Sequence, residues 1–173
     1  MKHTWIRTLA ALLLLCALTG TFAACGNAYG AVLYTPTEEG MQADFLAENR
    51  VQAFYPNAAY ENDPTQDAYL FAENAPRTRT LLFTDKASFE AAFSTYPAPV
   101  NFTEQMVVLH IFPNVYPQRE YFLSSVTLQD GKLTIRYRVE EKFGVGDAAM
   151  PQAGYLFVRM QKADVQTVEF IEG

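Results

Sequence analysis

The chain has 173 residues, and its 13 Lys and Arg face 19 Asp and Glu for a formal net charge of -6. That balance argues against nucleic acid as a partner, which needs a basic stripe, and against electrostatic capture by anionic lipid. Two cysteines and two histidines leave little for thiol, metal or imidazole chemistry, whereas 13 Phe and 10 Tyr supply a core.

The first seven residues carry Lys2 and Arg7 and no acid, and Leu9 to Leu18 is almost purely apolar before Thr19 and Gly20 break it. A basic start, a short apolar middle and a small-residue end make an export signal. The run is well short of the roughly 20 residues that span a bilayer. It closes in "LTGTFAACG", and Phe22-Ala23-Ala24-Cys25 resembles the bacterial lipobox, with Phe22 where Leu is usual. That resemblance implies a diacylglycerol thioether on Cys25, fatty acyl chains such as palmitate, and cleavage just before the cysteine. Two acyl chains hold a protein on a membrane where one is marginal. The alternative is ordinary cleavage between Ala23 and Gly30, without lipid. The expected organisation is a signal peptide over 1–24, a lipidated tether over 25–34 and one β-rich domain over 35–173. Cys16 leaves with the signal, so no disulfide forms within the mature chain, whose size buries about two thirds of its surface without one. The expected location is the outer face of the cell membrane, or the outer membrane of a Gram-negative host.

Thr35-Pro36-Thr37-Glu38 has the cap, first-turn proline and acid of a helix start, and the pattern predicts a short helix near 36–49, weakened by Gly40. Strands are predicted over 51–55, 68–73 and 79–84, with a Pro- and Asn-containing loop over 56–66. Thr84-Asp85 caps a helix through about Thr95, whose Phe89, Phe93 and Tyr96 share one face. Gln105 to Phe112 is nearly apolar, as in a central strand covered on both faces. Tyr121–Gln129 and Lys132–Val139 flank Asp130-Gly131, a strong hairpin signal. A two-residue turn pairs Leu128 with Leu133, Val126 with Ile135 and Ser124 with Tyr137 on one face. Gln129 with Lys132, Thr127 with Thr134 and Ser125 with Arg136 fall on the other. Apolar and polar side chains thereby sort to opposite faces. Strands over 155–160 and 166–171 complete a mainly β fold, a β-sandwich or curled antiparallel sheet with one or two short packed helices.

The search for chemistry yields little. His110, the one histidine beyond the signal, alternates with Met106, Val108 and Phe112 and reads as a core histidine with its ring hydrogen-bonded. No Gly-x-Ser-x-Gly stretch exists. Glu61, Asp63 and Asp67 lack the spacing of a calcium loop and read as a solvated acidic loop. Glu38-Glu39 and Glu140-Glu141 are adjacent, and neighbours on a strand point to opposite faces. Gly144-Val145-Gly146 precedes no clear helix and reads as a turn. No cofactor or metal is expected, and the chain reads as non-catalytic. Two loops stand apart. The loop over 113–121 combines Tyr116, Gln118, Arg119 and Tyr121 with two stiffening prolines. The loop over 143–151 holds Phe143, Gly144, Gly146 and Met150. Tyr, Arg and Met are residues with which proteins grip partners, so these two loops are the expected contact surface.

The stretch from about Leu81 to Met160 resembles the PrcB-like domain of bacterial lipoproteins, a family named for a lipoprotein that stabilises a surface protease complex. The likeness lies in order: "LLFTDKASFEAAF", then the F-x-x-x-M-V-V pattern from Phe102 to Val108, the hairpin "SSVTLQDGKLTIRYRV", a Gly-rich loop and "YLFVRM". The family's signature loop carries Thr-Gly-Gly-Tyr. Here Tyr116 to Tyr121 reads Tyr-Pro-Gln-Arg-Glu-Tyr, and Tyr121 is the one residue that carries over. The resemblance implies a membrane-anchored accessory module that binds another protein and stabilises or restrains an envelope protease. A module binding a small molecule or glycan is the alternative.

Overall fold

The computed structural model describes residues 28–51, 54–71, 74, 76–114, 118–141 and 152–173. Cys25, Tyr116, Phe143, Gly144, Gly146 and Met150, with the predicted signal and lipidation site, lie outside these. The fold is mainly β. An antiparallel sheet runs in the order β1 (Val32–Tyr34), β8 (Gln152–Gln161), β5 (Gln105–Asn114), β4 (Arg79–Phe83). A second sheet holds β6 (Arg119–Gln129), β7 (Lys132–Glu141) and β9 (Thr167–Glu172), and a small ribbon pairs β2 (Phe54–Pro56) with β3 (Tyr69–Phe71).

The alternation of β5 explains the layering. Val107, Leu109 and Ile111 face a cluster containing Phe83, Phe89, Phe93 and Phe157, closed by helices α1 (Ala43–Glu48) and α2 (Lys86–Ala92). Met106 and Val108 face the other way, onto Val126, Leu133 and Ile135 of the second sheet. A strand apolar on both faces is thus covered on both, by helices and by a sheet. The layers are helices, sheet, sheet.

Several boundaries differ from expectation for identifiable reasons. Residues 29–34, expected in the tether, belong to the fold. Ala31 is fully buried, and β1 pairs Val32 with Arg159 and Tyr34 with Phe157. The helix expected over 36–49 is split into a 3-10 turn, Glu38–Gly40, and α1. Gly40 is where the chain breaks, because it presses on another segment. A Cβ there would lie 2.8 Å from the Thr95 carbonyl oxygen, and the Gly40 carbonyl accepts from Ser94 and Thr95 N–H. The second helix begins as expected, with the Asp85 side chain accepting from Ser88 N–H at 2.9 Å. It ends at Ala92 because Phe93 turns extended and bridges to Met41.

The hairpin has the expected register from Gln129–Lys132 to Ser125–Arg136. Beyond that, Tyr137 pairs with Leu123 rather than with Ser124, so one residue is extruded. This bulge flips the inward set from Val126 and Leu128 to Leu123 and Tyr121. It turns an exposed serine out and brings an aromatic in. The sheet is also not wholly antiparallel: β9 runs parallel to β7.

Candidate functional site

The two loops expected to make contacts leave one end of the molecule, although they bridge sheets rather than joining neighbours in one. Asn114, at the end of β5, pairs with Gln152, at the start of β8. Arg119, at the start of β6, pairs with Glu141, at the end of β7. The first sheet thus ends at Asn114 just before the second begins at Arg119, and the second ends at Glu141 before the first resumes at Gln152.

At this end the two neighbours of β8 behave differently. β5 stays paired down to Gln152, whereas β1 stops pairing at Tyr34, opposite Phe157. Pro36 follows two residues on, with no N–H to donate and a fixed φ. Among the described residues, no strand pairs with the outer edge of β8 over 152–156. A cleft of about 580 Å³ opens beside it. One wall is the departing segment Thr35–Glu39, another is Gln152–Tyr155, and Asn114, Arg119 and Tyr121 close the third side. A smaller cavity of about 160 Å³ shares Glu38, Ala153 and Tyr155 with it and reaches Arg50 and Leu46.

The lining is polar and partly fixed in place. The Tyr155 hydroxyl donates to Glu38 Oε1 at 2.7 Å, tying the departing segment back to the strand. Burial, reinforced by the hydrogen bond to this carboxylate, raises the Tyr155 phenol above its ordinary range. Burial likewise pushes Tyr121 up to about 12, against the opposing pull of Arg119. Both phenols are therefore neutral donors at physiological pH. The Arg119 Nη2 lies 3.8 Å from Glu141, a contact half open to solvent.

Behind the cleft runs a chain of rings. Tyr121 meets Phe112 edge-on at 5.4 Å, and His110 is stacked between Phe112 at 5.7 Å and Phe170 at 4.4 Å. The Phe112 ring occupies the place a Cβ on Gly154 would need, with its Cε2 at 2.8 Å from that position. An aromatic ring thus covers a glycine across the strand pair. His110 is 8% exposed and its Nδ1 lies 2.8 Å from Thr80 Oγ1, as the sequence implied for a core histidine. Burial drives its pKa down to about 4, so it is neutral at pH 7.

Of the expected contact residues, Arg119 and Tyr121 line the cleft, and Gln118 stands half-buried beside Arg119 at the same end. Sequence reasoning missed the opposite wall. Glu38 was assigned to a helix, and nothing in its neighbourhood marks it as the partner of Tyr155, 117 positions away. Two signals were available. Pro36 closes a strand, and Gly154 inside one marks close approach. The acidic loop satisfies itself: Asp63 accepts from Thr65 N–H at 3.0 Å, Thr65 Oγ1 at 2.6 Å and Gln66 Nε2 at 3.0 Å. Those bonds, led by the Thr65 hydroxyl, hold its carboxyl below the usual range. Among the described residues, His, Cys, Asp and Glu form no group of three suited to a metal ion.

No family model, no curated protein and no solved structure matches the chain.

Proposed function

We propose that the chain is an exported, lipid-anchored accessory module that binds another protein without catalysing a reaction, and that the cleft beside β8 is where the partner engages. The observation that supports this reading is the opening between Thr35–Glu39 and Gln152–Tyr155, onto which Arg119 and Tyr121 face. Tyr and Arg at a pocket rim are the side chains that most often dominate protein contacts. The anchor is Cys25, and β1 follows it within ten residues, so the cleft lies near the membrane end of the chain. The PrcB-like resemblance supports an envelope protease as the partner class, to be stabilised or restrained.

Thr37 is exposed on the cleft wall, so Thr37→Arg should leave the melting temperature unchanged and reduce recovery of the partner from solubilised membranes at least tenfold. Unchanged recovery would remove the cleft from the interface. The second reading, a small-molecule or glycan site, is favoured by the cleft volume, which falls within the roughly 300–1,000 Å³ of ligand pockets. A rise in melting temperature on adding a soluble ligand would support that second reading instead.

A further inference from the structure

We propose that the edge of β8 over 152–156, which no strand among the described residues pairs, takes up an extended, basic segment of the partner as an added antiparallel strand, continuing the line that β1 abandons at Tyr34. This rests on the binding reading above and specifies its mode. A strand edge presents a row of backbone N–H and C=O groups that pairs with any extended chain able to reach it. Here β8 offers Gln152 to Leu156, a stretch of about 17 Å at 3.4 Å per residue, enough for a short recognition segment. The 580 Å³ cleft runs along four of these residues, so the added backbone has room. The edge is recessed between the Thr35–Glu39 segment and Arg119, which shields it from indiscriminate pairing.

The walls set the side-chain pattern. Residues of an added strand alternate between two sides. One side looks toward Glu38 and Glu39, and the Tyr155 hydroxyl holds the Glu38 carboxylate at that position. The other looks toward Tyr121 and Gly154, where the bare glycine and the Phe112 ring leave a flat surface suited to an apolar side chain. Two carboxylates against the single arginine of the lining, on a chain of net charge -6, select a cationic segment. The expected motif is therefore Lys or Arg at every second position, with apolar residues between.

The test uses the folded chain and three capped heptapeptide probes: Ac-TKVKTKV-amide, its Glu-for-Lys counterpart, and the Lys peptide N-methylated at alternate amides. Residue-resolved hydrogen exchange reads the site. The Lys peptide should slow exchange at least tenfold within 152–156. The Glu peptide should bind at least tenfold more weakly, and N-methylation should abolish the protection. Glu39→Lys, at an exposed position, should reverse the charge preference without changing the fold. No protection up to millimolar peptide, protection at another strand edge, or equal binding of the N-methylated probe would overturn the proposal. Photo-reactive residues at Gln118 and at Gln152 in native membranes separate the two claims. Protein crosslinks from Gln118 alone would keep the binding reading and overturn strand addition. Crosslinks from neither would overturn both.

Discussion

His110 is a neutral imidazole stacked between two phenylalanine rings in a layer of aromatic packing, with a threonine hydroxyl on its Nδ1. Its folded pKa is about 4 against an ordinary 6.5, so between those values the unfolded chain binds a proton that the folded chain refuses. Its contribution is full above pH 6.5 and is lost as pH falls toward 4, amounting at most to roughly 3 kcal/mol. His110→Leu should flatten the pH dependence of urea stability across that window relative to the parent chain. An identical slope would mean that the ring is solvated. Gly154 provides a second test at single-residue resolution. Adding a Cβ places it against the Phe112 ring, so Gly154→Ala should cost about 1–3 kcal/mol of overpacking. Combined with Phe112→Leu, the loss should be smaller than the sum of the single losses, a coupling that a double-mutant cycle measures.

At the scale of elements, legibility followed how local the cause was. The hairpin was readable because Asp130 and Gly131 adopt φ of 50° and 77°, which that residue pair tolerates, and because the alternation ran on for six residues on each side. Its bulge was not readable, since a regular ladder with Ser124 inward breaks no local rule. What decides the matter is the other sheet: Phe112 needs Tyr121 facing it. Deleting Ser124 should therefore preserve the fold, because Leu123 stays opposite Tyr137 and Ser125 opposite Arg136. Deleting Thr127 should destabilise the domain far more, because closing the ladder then consumes the bulge and puts Ser125 inward in place of the buried Val126, and thermal melting distinguishes the two. The parallel pairing of β9 and the splitting of the first helix were hidden for the same reason. Gly40 looks like a weak helix residue, and only Thr95, far along the chain, explains it. The cleft is the extreme case. Only Asn114, Arg119 and Tyr121 of its lining lay in a suspected loop, and the rest comes from β1's departure, the start of β8 and a tyrosine–glutamate bond across 117 positions. Tyr155→Phe should cost about 1 kcal/mol of stability through loss of that bond, read by urea titration.

For the molecule as a whole, one sheet is covered by helices on one side and by a second sheet on the other, and among the described residues the edge of β8 over 152–156 lies unpaired beside a cleft. Strands hold Tyr121 and Tyr155, and the Tyr155 hydroxyl holds Glu38, so the proposed partner would meet a preformed surface and affinity would not be spent on ordering it. An anchor at Cys25, as proposed, with β1 starting at Val32, would keep that surface close to the membrane, where an envelope protein would be met. As proposed, this chain is a lipid-anchored module whose cleft holds another protein. The most direct test is photo-crosslinking from Gln118 in native membranes, with mass spectrometry of the captured partner and of the chain's own N-terminus. The account predicts one dominant protein partner, a marked loss of it in Thr37→Arg, and an acylated Cys25. An unmodified N-terminus beyond Cys25 together with no captured protein would contradict it.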